Sequence, residues 1–271
     1  MRLQPPRQLV DFEAYVAPSG YRVADVQLEG SPRKWLIYRL RGREDLGRGY
    51  NPLVEYPALF KVFADLELSE RAILEFAGKY GAFHVEAQIP TPSRLAQEGW
   101  RLAEPVSLWR SEIRAARETI DILSARHDQN EAVLGERFRP GSEGVSYHDP
   151  RSPRSLTIIS RDEFYRRSKI GRIVEAAGIT AHAYIWLRLF DHTSTYLDYS
   201  NQKDVFGLQI RPKNLLGAIW LQLADYATGK RDYRDCKLCG TWIALEPRFN
   251  RKDRLYCSNS CRQKAYRARS Q

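Results

Sequence analysis

The sequence predicts an α+β fold: a mainly helical body, small N-terminal antiparallel strands ahead of it, and a compact module at the C-terminal end. Three observations carry this. Short β-branched and aromatic runs, separated by Pro and Gly, occupy the first forty or so residues. Apolar residues then recur at spacings of three and four. All four cysteines of the 271-residue chain lie between positions 236 and 261. The divisions that follow are 1–50 for the β-rich segment, 51–228 for the helix-rich body and 229–271 for the module.

Residues 9–16, 21–28 and 35–40 read as strands. Pro18-Ser19-Gly20 and Gly30-Ser31-Pro32-Arg33 mark turns between them, so a meander is expected. Residues 42–52, with Gly47, Gly49 and Pro52, read as a linker. A helix is expected over 56–66, with Leu59, Phe60, Phe63 and Leu66 on one face. Ser69 caps a second helix that ends before Gly81. Residues 82–103 are irregular, punctuated by Pro90 and Pro92. Val106, Trp109, Ile113, Ala116, Ile120 and Leu123 then form a helical seam of nearly five turns, with Arg110, Arg114, Arg117 and Glu118 on its other faces.

Residues 139–155 read as a loop, and 156–159 as a short strand. Ser160-Arg161-Asp162-Glu163 has the pattern of a capping box, opening a helix to about residue 177 with Gly178 past its end. The first half of 181–200 is open between helix and strand. Residues 205–210 alternate as a strand does. Asn214 caps a last body helix, with Leu215, Ile219, Leu223 and Tyr226 on a shared face and Gly229 as its stop.

Charge is unevenly placed. Residues 229–271 hold 12 of the 43 Lys and Arg but only 4 of the 33 Asp and Glu, so most of the formal +10 sits there. Such an asymmetry points to a polyanion, nucleic acid first. No run approaches the ~18–20 apolar residues of a membrane span, and no membrane partner is expected. The N-terminus carries charge without an apolar run behind it, so no secretion signal is expected and a cytoplasmic location is.

The tail reads Cys236-Lys237-Leu238-Cys239, then seventeen residues beginning with Gly240, then Cys257-Ser258-Asn259-Ser260-Cys261. In a reducing compartment, paired cysteines at these spacings favour metal over disulfides. The first pair forms a knuckle, its turn eased by Gly240 at positive φ. Residues 241–245 leave it as a strand, 247–251 turn, and 255–256 return. Ser258 caps a helix toward Arg269, which places Cys257 ahead of the helix and Cys261 in its first turn. Both thiols would then feel the positive end of the helix dipole. This is a treble-clef-like zinc finger, with one Zn²⁺ held by Cys236, Cys239, Cys257 and Cys261. Four sulfurs leave no open coordination position, so the metal is expected to be structural.

Cations surround it. Arg248, Arg251, Lys252 and Arg254 fall in the loop; Arg262, Gln263, Lys264, Tyr266, Arg267 and Arg269 fall on the final helix. These ten are the candidate nucleic-acid contacts, through phosphates and base edges. At 215–227 and 236–269 the chain resembles the bacterial CGNR zinc-finger family. The resemblance implies a transcription regulator with an N-terminal stress-sensor-like domain, called ABATE, and a DNA-contacting finger. Where the family has Cys-Gly-Asn-Arg, this chain has Cys261-Arg262-Gln263-Lys264, and residues 1–200 match no family pattern.

DNA is therefore the expected partner and RNA the second, with Tyr266 and Trp242 as stacking rings. A small-molecule or protein effector of the body and a homo-oligomer are compatible partners. The alternatives are an RNA- or protein-binding module, or an enzyme with its site in the body. The five histidines, His84, His127, His148, His182 and His192, show no metal spacing, and no G-x-S-x-G or phosphate-loop string is present. His182 and His192 with Asp191 are the best enzymatic group on offer. The chain is expected not to be an enzyme.

Overall fold

In the computed structural model, which describes residues 12–28, 31–39, 49–83, 87–88, 94–141, 144–148, 155–157, 173–200, 205–229, 232–245 and 253–269, helix and strand are mixed and the sheets are small and antiparallel. The turn at Pro18-Ser19 forms as expected, with the Gly20 N–H donating to the Ala17 carbonyl at 2.9 Å. It leads into β1 (Tyr21–Leu28), which pairs with β2 (Ser31–Tyr38). Two expectations fail here. Residues 31–33, expected in a turn, belong to β2. Of the strand expected at 9–16, residues 12–16 keep only an isolated bridge between Ala14 and Tyr50. The third position in the sheet is taken instead by β4 (Leu102–Pro105), flanked by the short β3 (Ala87–Gln88), giving the order β1-β2-β4-β3.

The linker expected to run to residue 52 gives way to a helix at that residue. Asn51 caps α1 (Pro52–Glu55), its side chain accepting from the Leu53 N–H. Helix α2 (Leu59–Ala64) starts later than expected because Pro57 drives Tyr56 out of helical geometry. Ser69 caps α3 (Glu70–Tyr80) as predicted, accepting from Ala72. After α4 (Arg94–Gln97) comes the 22-residue α5 (Val106–His127). Val106, Trp109, Ile113, Ala116 and Ile120 of its predicted seam are buried and Leu123 packs beside them. Trp109 stacks on Phe83 with ring centroids 3.8 Å apart. Its indole N–H donates to the buried Glu104 carboxylate at 2.9 Å, which also accepts from the Phe83 N–H. Arg117, on another face, closes the end of α2 by donating to the carbonyls of Ala64 and Leu66.

The stretch read as a loop from 139 onward is partly sheet. Helix α6 (Glu131–Arg137) runs into β5 (Phe138–Gly141), which pairs with β6 (Gly144–His148) and through it with β7 (Ser155–Thr157). Phe138 and Tyr147 are buried in a second, smaller core with Ile122 and Ala177. The capping box at Ser160 and the start of its helix lie outside the described residues. Helix α7 (Ile173–His192) does not stop at Gly178. There the side chain of Arg126 comes so close that a Cβ would meet its Nε at 3.0 Å. The glycine makes room for a neighbour rather than ending a helix.

Helix α7 passes directly into β8 (Thr193–Ser200), which pairs with β9 (Val205–Pro212). Asn214 then caps α8 (Leu215–Ala227), accepting from the Gly217 N–H at 2.8 Å. Leu215, Ile219, Trp220 and Leu223 enter the main core. Gln222, fully buried, holds the N-terminal helices: its amide donates to the carbonyls of Pro52 and Tyr56 and its oxygen accepts from the Phe60 N–H.

Candidate metal centre and cationic helix

A hairpin positions the first cysteine pair. β10 (Asp232–Asp235) and β11 (Trp242–Leu245) pair antiparallel with Asp235 opposite Trp242. The sequence reading placed β11 but missed β10, whose charged residues hide the strand pattern. Tyr233 alternating with charges was the available signal. Between the strands the chain folds tightly: the Gly240 N–H donates to the Cys236 carbonyl at 2.9 Å and the Cys236 N–H to the Thr241 carbonyl at 2.9 Å. Gly240 has φ +71, the positive value expected of it. The returning segment is tied in by the Lys237 N–H, which donates to the Leu255 carbonyl. Residues 255–256, expected as a returning strand, lie outside the strands.

Helix α9 (Asn259–Arg269) positions the second pair. Ser258 caps it as predicted, its hydroxyl accepting from the Cys261 N–H at 3.2 Å. The four thiols are free, and their sulfurs gather within 4.8 Å of one another. Cys257 to Cys261 is 3.4 Å, Cys239 to Cys257 3.5 Å and Cys261 to Cys239 3.8 Å. A regular tetrahedron of sulfurs at ~2.3 Å from a central ion has edges of about 3.8 Å, so the cluster can hold a metal. Among the described residues it is the group of His, Cys, Asp or Glu side chains close enough to do so.

Burial and hydrogen bonding act on these thiols in opposite directions. Burial raises Cys236, but the amides of Cys239, Cys257 and Leu238 outweigh it and bring the thiol down to about 6. Cys239 is lowered, chiefly by the hydroxyl of Thr241 at 3.3 Å. Cys257 is pushed up to about 12, by burial first and then by the thiols of Cys261 and Cys239. The shift at Cys257 runs opposite to the lowering expected from its place ahead of the helix. The thiols that ionise first hold back their neighbours, and a cation relieves that penalty.

The candidate contact residues divide three ways. Arg262, Gln263, Lys264, Tyr266 and Arg267 are exposed on α9, and four of them, Arg262, Gln263, Tyr266 and Arg267, line one shallow depression. Arg254 is half-buried and its guanidinium turns back onto the loop, donating to the carbonyls of Tyr256 and Cys257. It positions the second cysteine pair. Arg248, Arg251 and Lys252 lie outside the described residues, as does the side chain of Arg269.

Trp242 corrects another expectation. It does not stand free for stacking on bases. Tyr233 and Trp242 share one face of the hairpin and pack against Phe60 and Tyr226 of the body, with Trp242 5.4 Å from Tyr226 and Tyr233 5.2 Å from Phe60. Tyr233 also donates its hydroxyl to the Pro57 carbonyl. This aromatic clamp seats the module on α2 and α8.

Among the described residues no histidine joins a metal-ligating group. His182 and His192 lie ten residues apart on α7, about 15 Å along its axis. His192 sits 3.2 Å from the Asn214 amide, and burial lowers its imidazole below the usual range. His84 lies outside the described residues.

No protein-family model matches the chain, and neither curated protein sequences nor solved structures give a match to it.

Proposed function

We propose that the C-terminal module binds one structural Zn²⁺ through Cys236, Cys239, Cys257 and Cys261 and presents α9 to nucleic acid, with duplex DNA as the favoured form. The protein is then a zinc-dependent transcription regulator whose body senses a signal. One observation carries this reading: α9, rooted at its first turn in the sulfur cluster, exposes Arg262, Lys264 and Arg267 and contains no acidic residue. Four sulfurs at tetrahedral separations favour zinc without an open position, hence structure rather than catalysis. A knuckle hairpin followed by a helix bearing the last ligand supports the treble-clef-like description, and the resemblance to CGNR-type fingers supports the regulator role. Duplex DNA is favoured over single strands because Trp242 is committed to the body. The exposed ring of Tyr266 makes RNA the competitor to include.

The test combines metal analysis with binding on the full chain. One zinc per chain is expected. Affinity for duplex DNA should fall with salt, with a log–log slope of about −2.7 if three phosphates are contacted. Arg262→Ala with Arg267→Ala should lower the slope by about two units while zinc content stays constant. A zinc-free folded protein with reactive thiols overturns the metal; salt-independent binding, or tighter binding to RNA hairpins, overturns the duplex reading.

A further inference from the structure

The far end of α7 and the hairpin that follows it each expose large apolar side chains. One side of α7 is buried through Ala176, Ala177, Thr180, Ala181 and Ile185. In its last two turns Trp186, Leu187 and Phe190 nevertheless face outward, with Trp186 and Phe190 stacked at 5.6 Å. A helix apolar all round belongs in an interior. Arg188, the charge between them, is turned inward to the Glu112 carboxylate at 3.3 Å.

The hairpin repeats the anomaly. Among the described residues β8 and β9 pair only with each other. Their register sets Leu197 opposite Leu208 and Thr195 opposite Ile210, so Leu197, Leu208 and Ile210 share one face. Leu197 is 70% exposed and Leu208 73%. On the other face Arg211 lies over the Tyr196 ring at 4.9 Å and donates to Gln209. A two-stranded hairpin is marginal in water by itself, and strand edges invite pairing with another chain.

We propose that a second copy of this chain covers the end of α7 and the β8–β9 hairpin, making a two-fold homodimer. The area fits that occupant: the exposed parts of Trp186, Leu187, Phe190, Leu197, Leu208 and Ile210 add up to roughly 700 Å², within the ~600–1,000 Å² that each partner buries in a standard-sized interface. An isologous contact needs a self-complementary patch. Leucines on an antiparallel ladder meet their own copies about a two-fold axis. Arg188 is paired with the Glu112 carboxylate, and Arg211 lies on the hairpin face away from Leu197 and Leu208, so neither sets an unpaired charge inside the contact. The proposal stands apart from the nucleic-acid reading.

Sedimentation of the full chain with its metal tests it. At micromolar concentration the native protein should have twice the chain mass. Leu197→Lys with Leu208→Lys should dimerise more than about 100-fold more weakly, and so should Leu197→Glu with Leu208→Glu, because each buries unpaired like charges. Both should keep their circular dichroism and zinc content. Mixing the lysine and glutamate variants should restore the dimer mass. A native protein at single-chain mass, charged variants that still dimerise, or a mixture that stays at single-chain mass each overturns the proposal.

Discussion

Between β1 and α8 the protein buries Trp109, Trp220, Phe60, Phe63 and Phe83 completely, whereas the described residues of the C-terminal module bury only Cys236, Ile243 and Ala244. The body holds itself by apolar packing around a long helical seam. The module is too small for that, and on the proposed reading a metal ion cross-links its chain through the four sulfurs. The two regions should therefore fail under different insults, and the aromatic clamp of Phe60, Tyr226, Tyr233 and Trp242 is where one failure can reach the other.

The most severe separation should come from removing the metal. Chelation, or Cys239→Ser, should unfold the module alone, since a binding energy of ~10–16 kcal/mol is also its folding energy. Amide exchange would then show α9 unprotected while α5 keeps its protection. A protected α9 without metal would erase the distinction between the two regions. The converse variant, Trp109→Ala, should cost the body about 3–5 kcal/mol in urea unfolding and leave Glu104 short of a donor, with metal content unchanged. Trp242→Ala acts at the clamp. It should cost about 2 kcal/mol of docking and split a single calorimetric transition into two.

The smallest effect is expected at His192. Burial lowers its imidazole, so the unfolded chain takes up the proton first as pH falls below about 6.5. The body should be more stable above that pH and lose stability as pH drops toward the lowered native value. His192→Gln should flatten this part of a pH–stability curve. An unchanged curve would remove His192 from the account.

The site was more legible than the fold around it. Metal-ligand spacing is local, so Cys236 to Cys261 and the Ser258 cap could be found within a few dozen residues. The seam of α5 and the Asn214 cap were legible for the same reason. What escaped depends on distant partners. Arg139-Pro140-Gly141 looks like loop chemistry until β6 is there to pair with it. Gly178 looks like a helix stop until Arg126 fills the space beside it. Trp242 looks like a free stacking ring until Phe60, far earlier in the chain, is seen against it. Arg254 looks like one more cation for a partner until the carbonyls of Tyr256 and Cys257 are seen to claim it.

Gln222 has a consequence for the order in which the molecule can be made. Its amide satisfies carbonyls and an N–H that leave the ribosome more than 160 residues earlier. Until α8 has been synthesised, the seam between α1 and α2 stays open to water. Contacts closing so late in sequence make folding slow. The helix that seals the body is also the one that leads into the cysteine module, so a nascent chain gains its sealed body and the start of its cationic arm in quick succession.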